Sequence, residues 1–448
     1  MDDEIRHPLA YARTQRGWSQ EELAKRIRQA AARRGLRSGT RGSRIYKWET
    51  GRAIPDQAES QPLIAEAFGI DHAAVIHLGW PNWLPGQDQP LPFGLHNAIP
   101  SLREALMTSP DRRSFLTYTT GALAALAHQW ARTPPRPFTR PTPPTIGASA
   151  DGSFGKVGLE MVAWLEDSGA DLIRLATEHQ QPCHQLLDAH LATVTDILSH
   201  GTCPRPATRR MHTLAASLAT AIAWQRFDAR RHAAAARFWH AALHNAHTAG
   251  QHDLGAGILS DLAYQMLWLN QPRTAANILG HAIPRTRNPT ARSLLHLRQA
   301  RAFAGIGENR RCLTALTAAE KALAAPTADP APAWCSWMSN ADIAADTGRC
   351  LADLGQRPQA HQLMNEGITL LRPTRSKTRA VYWTYQAQTY LKDGEPEIAA
   401  DAATRSLELA SRIDAPRCIA MVRDLEPQLA PYARITEVDE LLQRLRAS

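Results

Sequence analysis

The strongest constraint on the fold is a pattern that recurs from about residue 155 to residue 448. This region is rich in Ala and Leu, its apolar residues recur at helical spacing, and β-branched residues almost never alternate along it. Short turns break the pattern at Asp228, Asn270, Gly307, Gly355 and Gly394, with spacings of 42, 37, 48 and 39 residues. The pattern predicts consecutive pairs of helices, and therefore an all-α fold.

A run of small residues follows each of these turns. The runs are Ala233–Ala236, Ala275–Ala276, Ala315, Ala360 and Ala399–Ala400. Small side chains allow the second helix of a pair to approach the first closely. Because one pair cannot bury its apolar face alone, successive pairs are expected to stack on one another.

The last of these pairs supports a comparison with a known repeat. Its large and small apolar positions are Trp383, Ala387, Tyr390, Gly394, Ala400, Ala403 and Leu407. These positions resemble those of the tetratricopeptide repeat (TPR), and the resemblance extends over about residues 215–415. It implies a C-terminal α-solenoid of TPR-like helix pairs. A final apolar stripe, which predicts a terminal capping helix, consists of Ile435, Val438, Leu441, Leu442 and Leu445.

The first 78 residues predict five short helices. Ser19, followed three residues later by Glu22, forms the sequence pattern of a capping box and indicates where the second helix begins. The other four helices are expected at about residues 8–16, 40–50, 63–68 and 75–76.

Basic residues are concentrated in the same part of the chain. The whole chain has a formal net charge of +9, which is ordinary for 448 residues. Residues 21–52 alone hold ten basic residues against three acidic ones. This concentration gives the first domain a strongly cationic surface.

Two motifs in this region occur in a characteristic order. Gly17–Ala24 reads GWSQEELA, and Ile45–Pro55 reads IYKWETGRAIP. Together they resemble the phage-repressor, or xenobiotic-response-element (XRE, Cro-type), helix-turn-helix of transcriptional regulators. The resemblance implies that the second helix crosses the DNA backbone and that the third lies in the major groove.

The resemblance also assigns roles to individual residues. Gln20 is the expected phosphate contact at the start of the second helix, and Arg52 suits a phosphate just beyond the third. The candidate base or phosphate contacts on the third helix are Arg41, Ser43, Arg44 and Lys47. Ile45 and Trp48 are expected to face the core. The stretch between the two motifs is longer than in the family, which predicts an extended second helix and a basic loop containing Arg33, Arg34 and Arg37.

Tryptophan and proline separate these two regions. Prolines are dense around residues 133–144, where they favour extended chain. We therefore expect three domains: residues 1–78 as the helix-turn-helix domain, 79–154 as a Pro-rich linker with one helical island near 112–130, and 155–448 as the repeat domain.

Other chemistries find less support. His240, His244 and His247 share a helical face and could bind zinc, but no acidic or cysteine ligand accompanies them, so we expect no metal and no cofactor. The six cysteines form no C-x-x-C pair, and no catalytic motif is present, which argues against an enzyme. No stretch is apolar enough to span a membrane, and a cytoplasmic location is expected.

The sequence therefore predicts a sequence-specific DNA-binding transcriptional regulator of actinobacterial type. Its partners would be double-stranded DNA, a second copy in a homodimer, and a peptide or small-molecule effector sensed by the repeats. The alternative is a TPR-like protein-interaction scaffold whose helix-turn-helix does not read DNA.

Overall fold

All regular structure in the described residues is helical. The computed structural model describes residues 8–14, 18–50, 52–68, 75, 80–81, 84, 93, 97–106, 118, 120–133, 157–177, 183–201 and 203–447. No strand occurs among these residues, so the predicted all-α class is confirmed for them. The proline-rich stretch at residues 134–144 lies outside the described residues.

The chain forms two compact units. The first comprises Met1–Leu91 with Leu116–Leu126, and the second comprises Pro92–Phe115 with Ala127–Ser448. Each unit is described by itself below.

The first unit contains four helices near the start of the chain. They are α1 (Pro8–Thr14), α2 (Gln20–Arg33), α3 (Gly42–Glu49) and α4 (Ser60–Phe68). Their buried apolar residues form one core, which includes Leu9, Leu23, Ile27, Ile45, Trp48, Leu63, Ile64 and Phe68. The predicted burial of Ile45 and Trp48 is confirmed. A fifth helix was expected near residues 75–76, where Val75 is helical and buried but its neighbours lie outside the described residues.

Two helices lie between residues 97 and 133, where the sequence predicted a single helical island. They are α5 (Ala98–Leu106) and α6 (Thr120–Arg132). The prediction of one island was therefore wrong. The cause is tertiary: α5 buries Ala98, Leu102 and Ala105, and its first carbonyl, that of Ala98, accepts a hydrogen bond from Asn245 Nδ2 at 3.0 Å.

The second unit is a succession of helices. They are α7 (Leu159–Thr177), α8 (His184–His200), α9 (Arg205–Asp228), α10 (His232–Thr248), α11 (His252–Trp268), α12 (Pro272–Ala282), α13 (Pro289–Ile306), α14 (Asn309–Leu323), α15 (Asn340–Asp353), α16 (Arg357–Leu370), α17 (Ser376–Asp393), α18 (Pro396–Arg412), α19 (Pro416–Arg423), α20 (Glu426–Leu429) and α21 (Thr436–Ala447). Short 3₁₀ turns follow α12 and α20.

Consecutive helices pack closely as pairs. The five pairs that contain the predicted turns are α9 with α10, α11 with α12, α13 with α14, α15 with α16, and α17 with α18. Each marked turn lies at or within a residue of the boundary between the two helices of its pair, so these turn predictions are confirmed. Ala235, Ala275, Ala360 and Ala400 are fully buried, as expected of small residues between closely packed helices.

The C-terminal apolar stripe forms a buried helix face. Val438, Leu441, Leu442 and Leu445 of α21 are buried in one cluster with Leu407 of α18. The predicted helix and its buried face are therefore confirmed.

Ion pairs join neighbouring helix pairs in the interior of the second unit. Arg298 Nη1 lies 2.7 Å from Asp261 Oδ1, and both side chains are almost fully buried. The next pairs along the chain repeat this arrangement, with Arg301 bonded to Asp346 at 2.6 Å and Arg375 bonded to Asp342 at 2.8 Å.

One cluster joins parts of the second unit that are far apart in sequence. Asp228, at the end of α9, accepts from Lys377 Nζ at 3.2 Å and lies 2.9 Å from Arg417 Nε. The Arg417 guanidinium lies over the rings of Phe227 and Trp268, at 5.1 and 4.8 Å from their centroids. We call Asp228, Lys377 and Arg417 the distal clasp.

Over the described part of the chain, no helix has both the length and the apolar character needed to cross a membrane.

Candidate nucleic-acid interface

The N-terminus of α2 is fixed by its capping residue. Ser19 has extended backbone angles, and its Oγ accepts a hydrogen bond from Glu22 N at 3.1 Å. This contact satisfies one of the amides that a helix leaves unpaired at its start. The sequence predicted this position for the start of α2, and the structure confirms it.

A carboxylate on α2 holds the start of α3. Glu21 Oε2 accepts a hydrogen bond from Gly42 N at 2.8 Å, and Glu21 Oε1 pairs with Arg28 Nη2 at 3.1 Å. Arg28 also donates to the carbonyl of Thr40, which precedes α3. The Gly42 amide, and then Arg28, hold the pKa of the Glu21 carboxyl below its usual value. The position of α3 on α2 is therefore fixed by polar contacts at one end.

Glycine at position 42 has a steric reason. A Cβ there would lie 3.0 Å from Glu21 Oε2 and 3.3 Å from Glu21 N. A larger residue would push α3 away from the carboxylate that caps it.

A second carboxylate holds the other end of α3. Glu49 Oε1 lies 2.6 Å from Arg13 Nε of α1, and Glu49 Oε2 accepts from Gln20 Nε2 of α2 at 2.7 Å. The side chain of Glu49 is nearly buried. Gln20 is therefore half-buried and already bonded within the unit, which differs from the freely exposed phosphate contact that the sequence suggested.

The remaining predicted contacts are exposed. Arg41, Ser43, Arg44, Lys47 and Arg52 all lie on the surface of the first unit. Among the described residues, none of the four cationic members has an acidic partner within ion-pair distance. Because Ile45 and Trp48 bury the opposite face of α3, the exposed face has a fixed orientation.

Aromatic rings support two of these cations. The Arg44 guanidinium lies 5.7 Å from the centroid of the Trp48 ring, and that of Arg52 lies 5.6 Å from the centroid of the Tyr46 ring. Such contacts restrain a long side chain while leaving its N–H groups able to donate.

Tyr46 is a surface residue of α3 that the sequence analysis missed. Its side chain is 45% exposed, and it lies one helical turn from both Ser43 and Thr50. The spacing of the buried residues Ile45 and Trp48 could have indicated this, because position 46 falls outside their face.

Two cations of the basic loop have internal partners. Arg33 Nε and Arg34 Nε lie 3.0 and 2.6 Å from the two carboxylate oxygens of Glu66 in α4. Arg33, and then Arg34, hold the pKa of Glu66 below its usual value. These two arginines join α2 to α4, whereas Arg37 is exposed and has no ion pair with a described residue.

The histidines of α10 face the interior of the second unit. His240 and His244 are buried, with their Nε2 atoms 3.0 Å apart, and the ring of Phe93 stacks on His244 at 4.4 Å. Burial holds the pKa of His247 down at about 4. In the residues that the structure describes, no group of three or more His, Cys, Asp or Glu side chains is arranged to hold a metal ion.

Comparisons with known proteins give one match. A family model described as the SP15 N-terminal domain matches residues 9–78, which are most of the stretch that holds α1 to α4. No curated protein and no solved structure matches the chain.

Proposed function

We propose that this chain is a sequence-specific DNA-binding transcriptional regulator, in which α2 and α3 form a helix-turn-helix and α3 enters the major groove. One observation carries the proposal. The solvent-facing side of α3 and its flanks expose Arg41, Arg44, Lys47 and Arg52, which have no acidic partner among the described residues, while the buried side of the helix is locked into the core.

The chemistry of this surface suits a duplex. Arg44 and Lys47 can donate to O6 and N7 of guanine, and Ser43 can bond to either a base edge or a phosphate. Arg41 and Arg52, at the two ends of α3, would neutralise phosphates on either side of the groove. The half-buried Gln20 retains one amide hydrogen that could reach a phosphate.

The second unit would sense an effector and pair two chains. Its paired helices and their buried small residues support an α-solenoid of TPR-like repeats, as a peptide- or small-molecule-responsive regulator would have. Pairing is expected because one small domain contacts too few base pairs for specificity in a genome. A regulator of this kind would act in the cytoplasm, together with the chromosome.

Binding to a genomic library tests the proposal. The full chain is incubated with fragmented genomic DNA at low salt, bound fragments are sequenced, and the enriched site is measured by fluorescence anisotropy. We expect an enriched motif, and an affinity that falls as salt rises because phosphate contacts release counterions. Absence of binding to any duplex at low salt would refute the proposal.

Substitutions on α3 test the assignment of residues. Arg44→Ala and Lys47→Ala are each expected to weaken binding to the enriched site by about 1–3 kcal/mol and to relax base preference. Lys321→Ala, which removes an exposed lysine from α14, is the matched control and should leave affinity unchanged. Equal losses on specific and random duplex for both α3 variants would contradict base reading by this helix.

The second candidate is a helical-repeat scaffold whose first unit binds protein. Glu21 favours it to a limited degree, because its carboxylate occupies the Gly42 amide at the start of α3, an amide that could otherwise bind a phosphate. A scaffold would show neither an enriched DNA motif nor a dependence of duplex binding on salt.

A further inference from the structure

Large apolar side chains are exposed along one face of α7. Met161 is 47% exposed, Trp164 is 61% exposed and Leu175 is 40% exposed. Their spacing of three and eleven residues places them on a single helical stripe. Exposed apolar area of this kind on an otherwise well-packed unit marks a surface that another molecule covers.

Leu186 of α8 extends this surface. It is 59% exposed, and two contacts align α8 beside α7: Cys183 Sγ lies 3.7 Å from the carbonyl of Leu172, and His190 Nε2 lies 2.9 Å from the carbonyl of Leu165. Leu186 follows Cys183 by three residues and therefore lies near the C-terminal half of the stripe. We call Met161, Trp164, Leu175 and Leu186 the α7 patch.

The stripe is symmetric about one residue. Met161 and Leu175 lie seven residues before and after Ser168, and Trp164 and Leu172 lie four residues before and after it. A second copy of the helix that runs antiparallel, with a two-fold axis at Ser168, would bring Met161 against Leu175 of the second copy. Trp164 would meet Leu172 of the second copy in the same way. Self-complementarity is the requirement of a two-fold interface.

Ser168 itself suits the crossing point. Its side chain is small, and its Oγ donates to the Trp164 carbonyl at 2.8 Å, within its own helix. The hydroxyl therefore would not be left unpaired when a second helix covers it, and the two backbones could approach closely.

The charges beside the stripe are complementary in the same arrangement. Glu160 and Arg174 lie on one flank of α7, seven helical positions apart on each side of Asp167. Antiparallel pairing would bring Glu160 within a helical turn of Arg174 in the second copy, at both ends of the interface. Glu160 is exposed and has no ion pair with a described residue, while Arg174 has only the exposed Asp171, at 2.6 Å.

We propose that the α7 patch is the homodimer interface, in which two copies pair their α7 helices antiparallel about a two-fold axis at Ser168. The proposal rests on the proposed function to the extent that a DNA-reading regulator needs two copies. It adds which surface provides the pairing, and it selects a second copy of this chain because the symmetry and the charges match the helix to itself.

A charged substitution at the centre of the patch tests the interface. By light scattering coupled to gel filtration, the full chain should have twice the 49.3 kDa mass of one chain. Trp164→Glu should halve that mass, while circular dichroism stays unchanged because Trp164 is already exposed. Leu313→Glu, at a 42% exposed leucine of α14, is the matched control and should leave the mass doubled. A wild-type chain of single mass, or a Trp164→Glu chain of double mass, overturns the proposal.

Charge reversal tests the orientation. Glu160→Arg alone should increase the dissociation constant of the dimer about tenfold, and Arg174→Glu alone should act in the same direction. The double variant should recover most of the loss, because the two charges exchange places across the interface. Additive losses in the double variant would rule out the antiparallel arrangement.

Cross-linking tests the position of the axis. Ser168→Cys places two thiols next to each other at the two-fold axis, so a short bismaleimide should join two chains within minutes. Ala170→Cys, on another face of α7, is the control and should give only the background of the wild-type chain, in which five of the six thiols are buried. Equal yields for the two variants would contradict the axis at Ser168.

The failures of the two proposals can be told apart. A Trp164→Glu monomer from a dimeric wild type that binds no duplex supports the interface and refutes DNA reading. An enriched operator bound by a dimer that Trp164→Glu does not dissociate supports DNA reading and refutes this interface.

Discussion

Glu21 organises the polar contacts of the first unit. Its carboxylate accepts the Gly42 amide at the start of α3 and pairs with Arg28, which in turn donates to the Thr40 carbonyl. A single side chain of α2 therefore fixes both the loop that precedes α3 and the first turn of α3. This matters for function, because the orientation of α3 decides which bases its side chains reach.

The contribution of Glu21 depends on pH. Its pKa in the folded chain is lowered from the usual 4.5, mainly by the Gly42 amide and then by Arg28. The stabilising effect is therefore complete above that usual value and is lost as pH falls through the lowered one. Glu21→Gln should accelerate amide hydrogen exchange in α3 at pH 7, relative to the wild type, and should have little effect near pH 3.

Mass spectrometry of peptides from residues 36–50 measures this effect. Glu59→Gln, at an exposed carboxyl in the same unit, is the control and should leave exchange in α3 unchanged. A Glu21→Gln chain with wild-type exchange at neutral pH would show that the carboxylate does not hold α3.

Helical spacing predicts exposure better than it predicts partners. It correctly separated the buried Ile45 and Trp48 from the exposed Arg44 and Lys47, because that separation depends only on positions along one helix. It could not reveal that Gln20 bonds to Glu49, 29 residues away, because such a contact depends on how two helices cross.

At the scale of helices, close packing depends on individual glycines. A Cβ at Gly348 of α15 would lie 2.7 Å from the Ala360 carbonyl oxygen, and one at Gly367 of α16 would lie 2.6 Å from the Ala345 Cβ. Ala360, one of the small residues singled out in the sequence, lies at this contact. The two helices of a pair can approach this closely only because neither presents a larger side chain.

Adding one methyl group at this crossing should be destabilising. Gly348→Ala should lower the free energy of unfolding by about 1–3 kcal/mol, because the new Cβ meets backbone that cannot easily move. Gly280→Ala in α12 is the matched control, since nothing lies within 4 Å of its Cβ position. That control should stabilise the chain by about 0.5–1 kcal/mol through helix propensity. Urea unfolding followed by circular dichroism measures both; equal effects would contradict the packing argument.

Sequence periodicity identified the paired helices but not α5. The pairs repeat the same alternation of apolar residues and turns, so each copy supports the prediction for the others. The helix at Ala98–Leu106 has no such repeat and contains Pro100. Its stability comes from burial of Leu102 and from the bond between Asn245 and the Ala98 carbonyl, which only the folded chain brings together.

At the scale of the whole second unit, the distal clasp is the longest-range polar contact described here. Asp228 is about a quarter exposed and is approached by Lys377 and Arg417 from helices near the end of the chain. Arg417 also donates to the Tyr264 hydroxyl at 3.4 Å. Burial lowers the pKa of Arg417, but the negative charge of Asp228 outweighs it, so the net shift is upward and the guanidinium stays charged.

Removal of the acidic partner should loosen both ends of the unit together. Asp228→Asn should lower the free energy of unfolding by about 1–3 kcal/mol, less than for a fully buried pair because the groups are partly solvated. Hydrogen exchange should increase at the end of α9 and in α19 simultaneously. Asp401→Asn, which breaks an exposed pair with Arg405, is the control and should cost under about 0.5 kcal/mol. Faster exchange in α9 alone would show that the clasp does not couple the ends.

The distal clasp also has a consequence for how the chain folds during its synthesis. In an array held only by neighbouring contacts, early helix pairs could reach full stability while later ones are still being translated. Here Asp228 lacks both of its cationic partners until about 190 further residues have left the ribosome. The nascent α9 end and the aromatic rings around it therefore stay incompletely satisfied through most of translation, and this part of the unit becomes stable only when the last helices arrive.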